Sequence, residues 1–395
     1  MRWWIATLLF FATVINYVDR QALSVLAPVL RDEFHMSNTE YSRVVFAFLL
    51  AYMIMQGGSG RIMDRLGTKT GFALTITWWS IAAMLHAGAN SVLGFGVCRF
   101  LLGLGEAGNW PGGVKAVSEW FPPKERAFAI GYFNSGSTLG AVVAPPLIAW
   151  LVLRFGWRAA FVATGALGFL WLIFWLALYR STPVADPGAP PPAQIRWRDL
   201  LRYKQVWGLV LTRMLSDPVW WFYVFWLPEY LKRERNFSLA MIGYFAWIPF
   251  MAAGLGCLAG GASSGWLIRR GWPVLRSRKA VMLVSAVLMM SGIPAVLVSE
   301  AGVAIALISL ATFAFSTWAS NILTLPADLF PNHVVASVSG ISGTGAALGG
   351  MVFTLIAGAV VDRFSYVPVF VAAGLLPRVA ATVVFRSIRP AAPSI

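Results

Sequence analysis

Residues Arg99 to Gly113 read RFLLGLGEAGNWPGG and lie inside an apolar run from Val92 to Val117. An arginine and a glutamate, Arg99 and Glu106, interrupt that run. At 3.6 residues per turn, a spacing of seven puts both on one helix face, about 10 Å apart along the axis. A charge inside lipid costs roughly 2.5–3.5 kcal/mol on insertion scales, so such groups face an interior cavity and act on something passing through it. A helix of this kind needs neighbours that enclose its charged face, and the rest of the chain reads as that enclosure.

The 395 residues are 58% hydrophobic and only 12% charged, with a mean hydropathy of +0.70; a soluble domain carries about 25% charged residues. The chain is therefore an integral membrane protein. Its net charge of +15 is spread over short loops between apolar runs rather than gathered in one patch, which argues against a nucleic-acid partner. The many Trp and Phe residues suit a lipid-facing surface with interfacial aromatic belts. Cys98 and Cys257 both fall in apolar runs and read as small buried hydrophobes, and the scattered histidines have no ligand spacing, so neither a metal nor a cofactor is expected. The run from Trp3 to Leu26 is too long for a signal-peptide core and lacks a small-residue cleavage site.

A bilayer-spanning helix needs about 20 apolar residues. Twelve runs qualify: 3–27, 44–61, 71–89, 92–114, 127–153 and 158–179, then 206–228, 241–267, 280–298, 302–325, 334–361 and 366–387. Between the sixth and seventh, Ser181 to Leu200 is Pro-rich and then basic, and reads as a linker. The expected fold is thus an all-α membrane protein with twelve transmembrane helices in two pseudo-symmetric six-helix bundles: residues 1–180, a cytoplasmic linker 181–205, and residues 206–395. An internal repeat agrees. Arg154-Phe155 followed by Phe161-Val162-Ala163-Thr164-Gly165 returns as Arg363-Phe364 followed by Phe370-Val371-Ala372-Ala373-Gly374, at the same join in each half. Parallel repeats of this sort rock around a midplane site in transporters. With the N-terminus inside, 19 Lys and Arg fall on the cytoplasmic side and 8 outside, which puts both termini in the cytoplasm.

Four arginines remain within helices: Arg20, Arg99, Arg213 and Arg378. Helix 1 carries Asn16-Tyr17-Val18-Asp19-Arg20-Gln21. Counted along the helix axes, Arg20 and Arg99 each lie about 10 Å from the outer edge, and Tyr52 on helix 2 lies close to that level. Asp19, Arg20, Tyr52 and Arg99 can therefore meet at one height, beside Tyr17. Two arginines next to a tyrosine hydroxyl form a bidentate clamp for a carboxylate or phosphate. The competing reading is a structural ion pair that holds helices together. Glu106 lies two turns deeper, where a carboxyl group in an apolar cavity can take up a proton. Asp19 would become free to do the same once an anion occupies Arg20, so substrate and proton are expected to bind together. Asn134 on helix 5, and Trp318 with Asn321 on helix 10, can hydrogen-bond or stack on a polyol; each reads equally well as a helix–helix contact. Arg213 and Asp217 form an i,i+4 pair of structural type, and Arg378 has no evident partner. Gly103-x-Gly105-x-x-Gly108 matches a dinucleotide fingerprint, but no strand precedes it. Close helix contact explains it better, and Gly345-x-x-x-Gly349 with it.

After helix 2 the chain reads Gly60-Arg-Ile-Met-Asp64-Arg65-Leu-Gly67-Thr-Lys69-Thr-Gly71. An acid and bases at a helix end can pair with a helix dipole or a countercharge elsewhere. This loop resembles the signature loop of the major facilitator superfamily, which implies a cytoplasmic gate at Gly60, Asp64, Arg65 and Gly67. The matching region of the second half, Gly261 to Gly271, has no acidic residue, so the lock is expected to be asymmetric. Further stretches are similar to the anion:cation symporter family of that superfamily, most of all to its hexuronate transporters. They are Asn16-Tyr17-x-Asp19-Arg20, Arg99-x6-Glu106, Ser118 to Arg126 running into Gly131-Tyr-Phe-Asn134, and Asp217 to Pro228. The resemblance implies proton-coupled symport of a sugar acid, by alternating access, with Arg20 and Arg99 on the substrate carboxylate and Asp19 and Glu106 carrying protons. Where some relatives have an Asn on helix 11, this chain has Ala346-Ala347. The expected partners are a small organic anion, protons and the lipid bilayer of the plasma (inner) membrane, with the chain a monomer. An exchanger or uniporter for another small carboxylate or phosphate ester would keep the arginine clamp and need no Glu106. The chain holds no nucleophile or metal constellation of the kind an enzyme requires.

Overall fold

A computed structural model describes residues 1–36, 38–180, 197–237, 241, 244–245 and 247–389. The regular structure of the described residues is helical, without a strand. The Pro-rich part of the linker, 181–196, lies outside them, as does part of the start of the eighth expected span.

The helices, in order, are α1 (Arg2–Glu33), α2 (Asn38–Leu66), α3 (Thr68–Leu85), α4 (Val92–Glu106), α5 (Asn109–Trp120) and α6 (Pro123–Leu178). After the linker come α7 (Trp197–Leu200), α8 (Lys204–Ser216), α9 (Pro218–Arg233), α10 (Trp247–Arg269), α11 (Val274–Leu288) and α12 (Gly292–Leu297). The last are α13 (Ala301–Ile322), α14 (Leu325–Leu329), α15 (Val335–Arg363) and α16 (Val367–Ser387).

Each expected span has its helical counterpart, and the differences have local causes. The fourth span, expected unbroken over 92–114, is divided between α4 and α5 by a turn at Ala107 and Gly108. Pro111 has no N–H to give the Ala107 carbonyl; that carbonyl accepts the Ser59 hydroxyl instead, at 3.2 Å. The seventh span divides at Asp217 for the same reason, since Pro218 leaves the Met214 carbonyl without its helical donor. The ninth, 280–298, passes through a 3₁₀ turn at Met289–Ser291 before α12. The fifth and sixth spans are two helices within the α6 range, divided as expected by a kink at Gly156, where φ 82° and ψ 167° are not helical. A side chain is strained in that left-handed region, and glycine is not. The second copy of the sequence repeat makes the corresponding turn between α15 and α16.

The chain forms two compact units. One comprises residues 1–120, 136–197 and 331–341; the other comprises 121–135, 198–330 and 342–395. The helices α6 and α15 thus contribute to both. In the first unit α4 packs on α2 and α3. Gly103 lets α4 rest on α2 so closely that a Cβ there would meet the Phe48 carbonyl and sit 3.2 Å from the Tyr52 nitrogen. Beyond it, Phe34, Phe95, Trp157 and Phe161 pack as one aromatic cluster, with His86 stacked on Phe161 at 4.8 Å. In the second unit α10 lies along α13, with Gly256 and Gly260 against the backbone of Phe313 and Thr317. Gly345 and Gly349 face Val210 and Met214 of α8 in the same way, as small residues do where helices touch. Arg235 closes α12 by donating to the Ala295 carbonyl at 2.7 Å and to that of Val298.

Because Gly103 sets the α2–α4 distance, Gly103→Val should cost about 1–3 kcal/mol as an overpacked contact. The expected result is a lowered thermal midpoint of the purified protein, where Gly96→Val, whose added Cβ meets open space, leaves the midpoint in place.

Candidate functional site

Residues 19 and 20 are adjacent on α1, and adjacent helical residues do not face the same neighbour. Their charges accordingly go separate ways. Arg20 reaches across to α4, where Nη2 and Nε donate to Glu106 Oε2 at 2.8 and 3.0 Å. Nη2 also donates to Asn16 Oδ1 at 3.3 Å, one turn back on α1. Three rings surround the guanidinium, those of Tyr17, Phe48 and Tyr52, with centroids 5.0, 5.2 and 5.0 Å away. Cation–π attraction of this kind is stronger where water is excluded. Glu106 is fully buried, and its Oε1 has no partner.

Arg99 is 2% exposed. Its Nη1 donates to the Arg20 carbonyl at 3.4 Å, while Nε and Nη2 have no hydrogen-bond partner. The Asp19 carboxylate is also 2% exposed, and neither oxygen accepts a hydrogen bond. Thr164 lies near Asp19 but turns its hydroxyl to the Phe161 carbonyl at 3.4 Å. One unit therefore gathers Tyr17, Asp19, Arg20, Tyr52, Arg99 and Glu106 in one cluster, with one ion pair made and several strong polar groups unspent. Such groups cost free energy unless something pairs with them.

Two details differ from the sequence reading. Glu106 was expected two turns away from the arginine level, yet it holds Arg20 directly. The long arginine stem bridges the height difference, since a buried carboxylate left alone is worse than a stretched side chain. Asp19 was expected to be held by its neighbour Arg20; it stands apart because of the helical angle between them.

Asn134, Trp318 and Asn321 belong to the other unit. Asn134 Nδ2 donates to Cys257 Sγ at 3.2 Å. Asn321 Nδ2 donates to the Gly260 and Thr317 carbonyls, both at 3.0 Å, which is the helix–helix contact reading of that residue; its Oδ1 is unpartnered. Trp318 is fully buried with its indole N–H unpartnered. Arg213 and Asp217 form their i,i+4 pair at 3.0 Å, and Arg213 adds a bond to Ser342 Oγ.

A family model described as Major Facilitator Superfamily matches residues 9–354. The chain belongs to the major facilitator superfamily. It is a multi-pass membrane transporter and not an enzyme, and its helices are those of the twelve-helix, two-bundle facilitator fold. A hexuronate transporter of Escherichia coli (strain K12) is 34% identical over 403 residues, covering 98% of this chain and 93% of that protein. A galacturonate transporter of Dickeya chrysanthemi is 36% identical over 308 residues, covering 73% of this chain and 89% of that protein. Among solved structures, the proton:xylose symporter XylE bound to 6-bromo-6-deoxy-D-glucose aligns with a TM-score of 0.75 at 14% identity, covering 98% of this chain and 95% of that one. That likeness is one of fold.

The facilitator signature loop has a definite geometry. Asp64 at the end of α2 takes Lys115 Nζ on Oδ1 at 2.6 Å and the Ser337 N–H on Oδ2 at 2.7 Å. Ser337 is in the first turn of α15, so one carboxylate both pairs with a cation and caps a helix N-terminus. Gly60 lets α2 pass directly over the Ala336 carbonyl. Gly67 makes the turn into α3 at φ 77°, and Arg65 is exposed. Close by, Glu119 accepts from Thr68 and from the Tyr179 hydroxyl, both at 2.7 Å.

A second buried ion-pair network, which the sequence reading missed, centres on Asp328. Arg278, fully buried, donates to Asp328 Oδ2 at 3.0 Å, to Ser264 Oγ at 2.7 Å and to the Pro123 carbonyl at 2.6 Å. Arg126 takes the other Asp328 oxygen at 3.3 Å and the Ala327 carbonyl at 2.6 Å. The acid absent from the Gly261–Gly271 loop is thus supplied from α14. A lone acid in Leu325-Pro-Ala-Asp328, at the end of a span and after the basic run 276–279, was the available signal.

Breaking a buried pair by removing one partner costs about 3–5 kcal/mol, because the other charge is left alone. Asp328→Asn should therefore lower the thermal midpoint strongly. Adding Arg278→Met to that variant should recover part of the loss in the same melting assay, as removal of the orphaned charge requires.

Proposed function

We propose that this chain is a proton-coupled symporter of sugar acids, hexuronates or their close relatives, working by alternating access. It would sit in the plasma (inner) membrane as a monomer, with both termini in the cytoplasm. The observation that carries the reading is the Arg20–Glu106 ion pair, set beside an Arg99 with two unspent donor groups and an unpaired Asp19.

To a substrate carboxylate Arg99 offers a planar donor with free N–H groups, and planar forks suit carboxylates. To engage Arg20 as well, it must compete with Glu106. Glu106 displaced from Arg20 is an isolated carboxylate in an apolar interior, and the lowest-energy remedy is a proton. Charge counting supports the same step. Asp19 and Glu106 balance Arg20 and Arg99, so an added anion leaves one negative charge in excess, and one proton restores neutrality. Asp19, already unpaired, is the second group able to take a proton. The rings of Tyr17, Phe48 and Tyr52 supply the apolar wall, and the Tyr hydroxyls can meet sugar hydroxyls. The resemblance to hexuronate and galacturonate transporters selects sugar acids among carboxylates. Asn134, Trp318 and Asn321, in the other unit, are further candidate substrate-binding residues, with Asn321 Oδ1 and the Trp318 N–H as the unspent groups. Asp64, with Gly60, Arg65 and Gly67, would act as the cytoplasmic gate.

The test is uptake into proteoliposomes with a panel of sugar acids, with and without an imposed pH gradient. Glu106→Gln should abolish accumulation against a gradient while leaving exchange of labelled for unlabelled substrate. Full uphill accumulation by that variant would overturn the proton role of Glu106 and favour an exchanger or uniporter. Arg99→Lys replaces a fork by a point charge and should lower the apparent affinity about tenfold, the worth of one charge-assisted hydrogen bond. Wild-type affinity in that variant would remove Arg99 from the clamp.

A further inference from the structure

Where α8 begins and α16 ends, the second unit has a groove of about 630 Å³. Arg202, Lys204, Arg386 and Arg389 line its mouth, and all four are exposed. Arg202 shares its charge with Asp199 at 3.6 Å. Lys204, Arg386 and Arg389 have no acidic partner among the described residues. Lys279 bonds the Ile388 carbonyl and so fixes the rim beside them. The transport mechanism proposed above uses none of these residues.

The groove changes character with depth. Trp207 and Leu211 follow the cations along α8, and both are exposed large hydrophobics, at 49% and 45%. Leu211 lies seven residues beyond Lys204, hence about 10 Å further along the helix. The Trp207 N–H is satisfied by the Leu201 carbonyl at 2.7 Å, so its ring presents only apolar surface to an occupant. The floor is Gly208, which lets α16 approach so closely that a Cβ would strike the Ser387 hydroxyl. The α16 helix is long and apolar enough to cross a membrane, so the groove opens at the level where that crossing ends. Four cations at the mouth, no paired acid among the described residues for three of them, and an apolar wall beneath match a ligand that is anionic at one end and hydrocarbon at the other.

We propose that this groove binds an anionic phospholipid, with its phosphodiester among Arg202, Lys204, Arg386 and Arg389 and its upper acyl chain against Trp207 and Leu211. A free phosphate would share the cations but gain nothing from the apolar wall. The site is separate from the sugar-acid reading and stands if that reading fails.

The test uses the full chain, purified in non-ionic detergent, stripped of lipid and titrated with dioleoyl phosphatidylglycerol, dioleoyl phosphatidylcholine or inorganic phosphate, with bound lipid read by native mass spectrometry. Phosphatidylglycerol should be retained in preference to phosphatidylcholine. At about 1 kcal/mol for each basic residue near an anionic headgroup, each cation removed should weaken binding about fivefold. Arg386→Gln with Arg389→Gln should therefore weaken it roughly 25-fold. Arg269→Gln with Arg270→Gln, also exposed but at the end of α10, should leave it unchanged. Should the Arg386/Arg389 pair not be obtained folded, Lys204→Gln alone should give the fivefold loss. Equal retention of the two lipids, equal losses in the two paired variants, or displacement of phosphatidylglycerol by an equal concentration of inorganic phosphate would each overturn the proposal.

Discussion

A guanidinium with little access to water and a carboxylate with none join α1 to α4 in the first unit. Arg20 and Glu106 come from helices far apart in the chain, and each needs the other more than it would at a surface. Neighbouring features serve that pair. Gly103 brings α4 onto α2 and so brings Phe48 and Tyr52 to the guanidinium. Asn16 supports Arg20 from one turn away. The break after Glu106 places the acid at the last residue of α4, where the helix does not continue straight.

The same economy governs the two polar networks around Asp64 and Asp328. Asp64 and Asp328 each divide two oxygens between two partners. Asp64 serves a lysine and a helix N-terminus; Asp328 serves two arginines. In each case the elements joined are distant in sequence, and one buried acid replaces several weaker surface contacts. A buried acid with both oxygens occupied holds its geometry because the loss of either partner leaves a charge unsatisfied. An exposed pair such as Arg202–Asp199 carries no such penalty.

Much of the fold was legible because lipid imposes so few choices. Long apolar runs must be helices, and the Pro-rich stretch between the sixth and seventh could be nothing else than a connection. What the sequence hid was continuity. Pro111 and Pro218 break spans that hydropathy reads as whole. The six central residues were legible from their charge in an apolar setting and their common height. Their pairing was not, because a height along an axis says nothing of the angle around it, and the angle separates Asp19 from Arg20. Asp328 was overlooked because it lies outside the loop that corresponds by sequence to the first-half lock; its role depends on Arg278 and Arg126, which only the packing of α14 brings near.

That angular separation has a consequence for how this chain can vary. Two neighbouring letters of α1 answer to different addressees, one to α4 and one to the vicinity of Thr164. Insertion or deletion of a single residue upstream would rotate the dipeptide by a little over a quarter turn; a deletion delivers the base where the acid belongs, and an insertion delivers the acid where the base belongs. Point replacements in α1 alter one partnership at a time, but a change of its length would miswire both at once, so the span from the membrane surface to Arg20 is a fixed measure for this protein and its descendants.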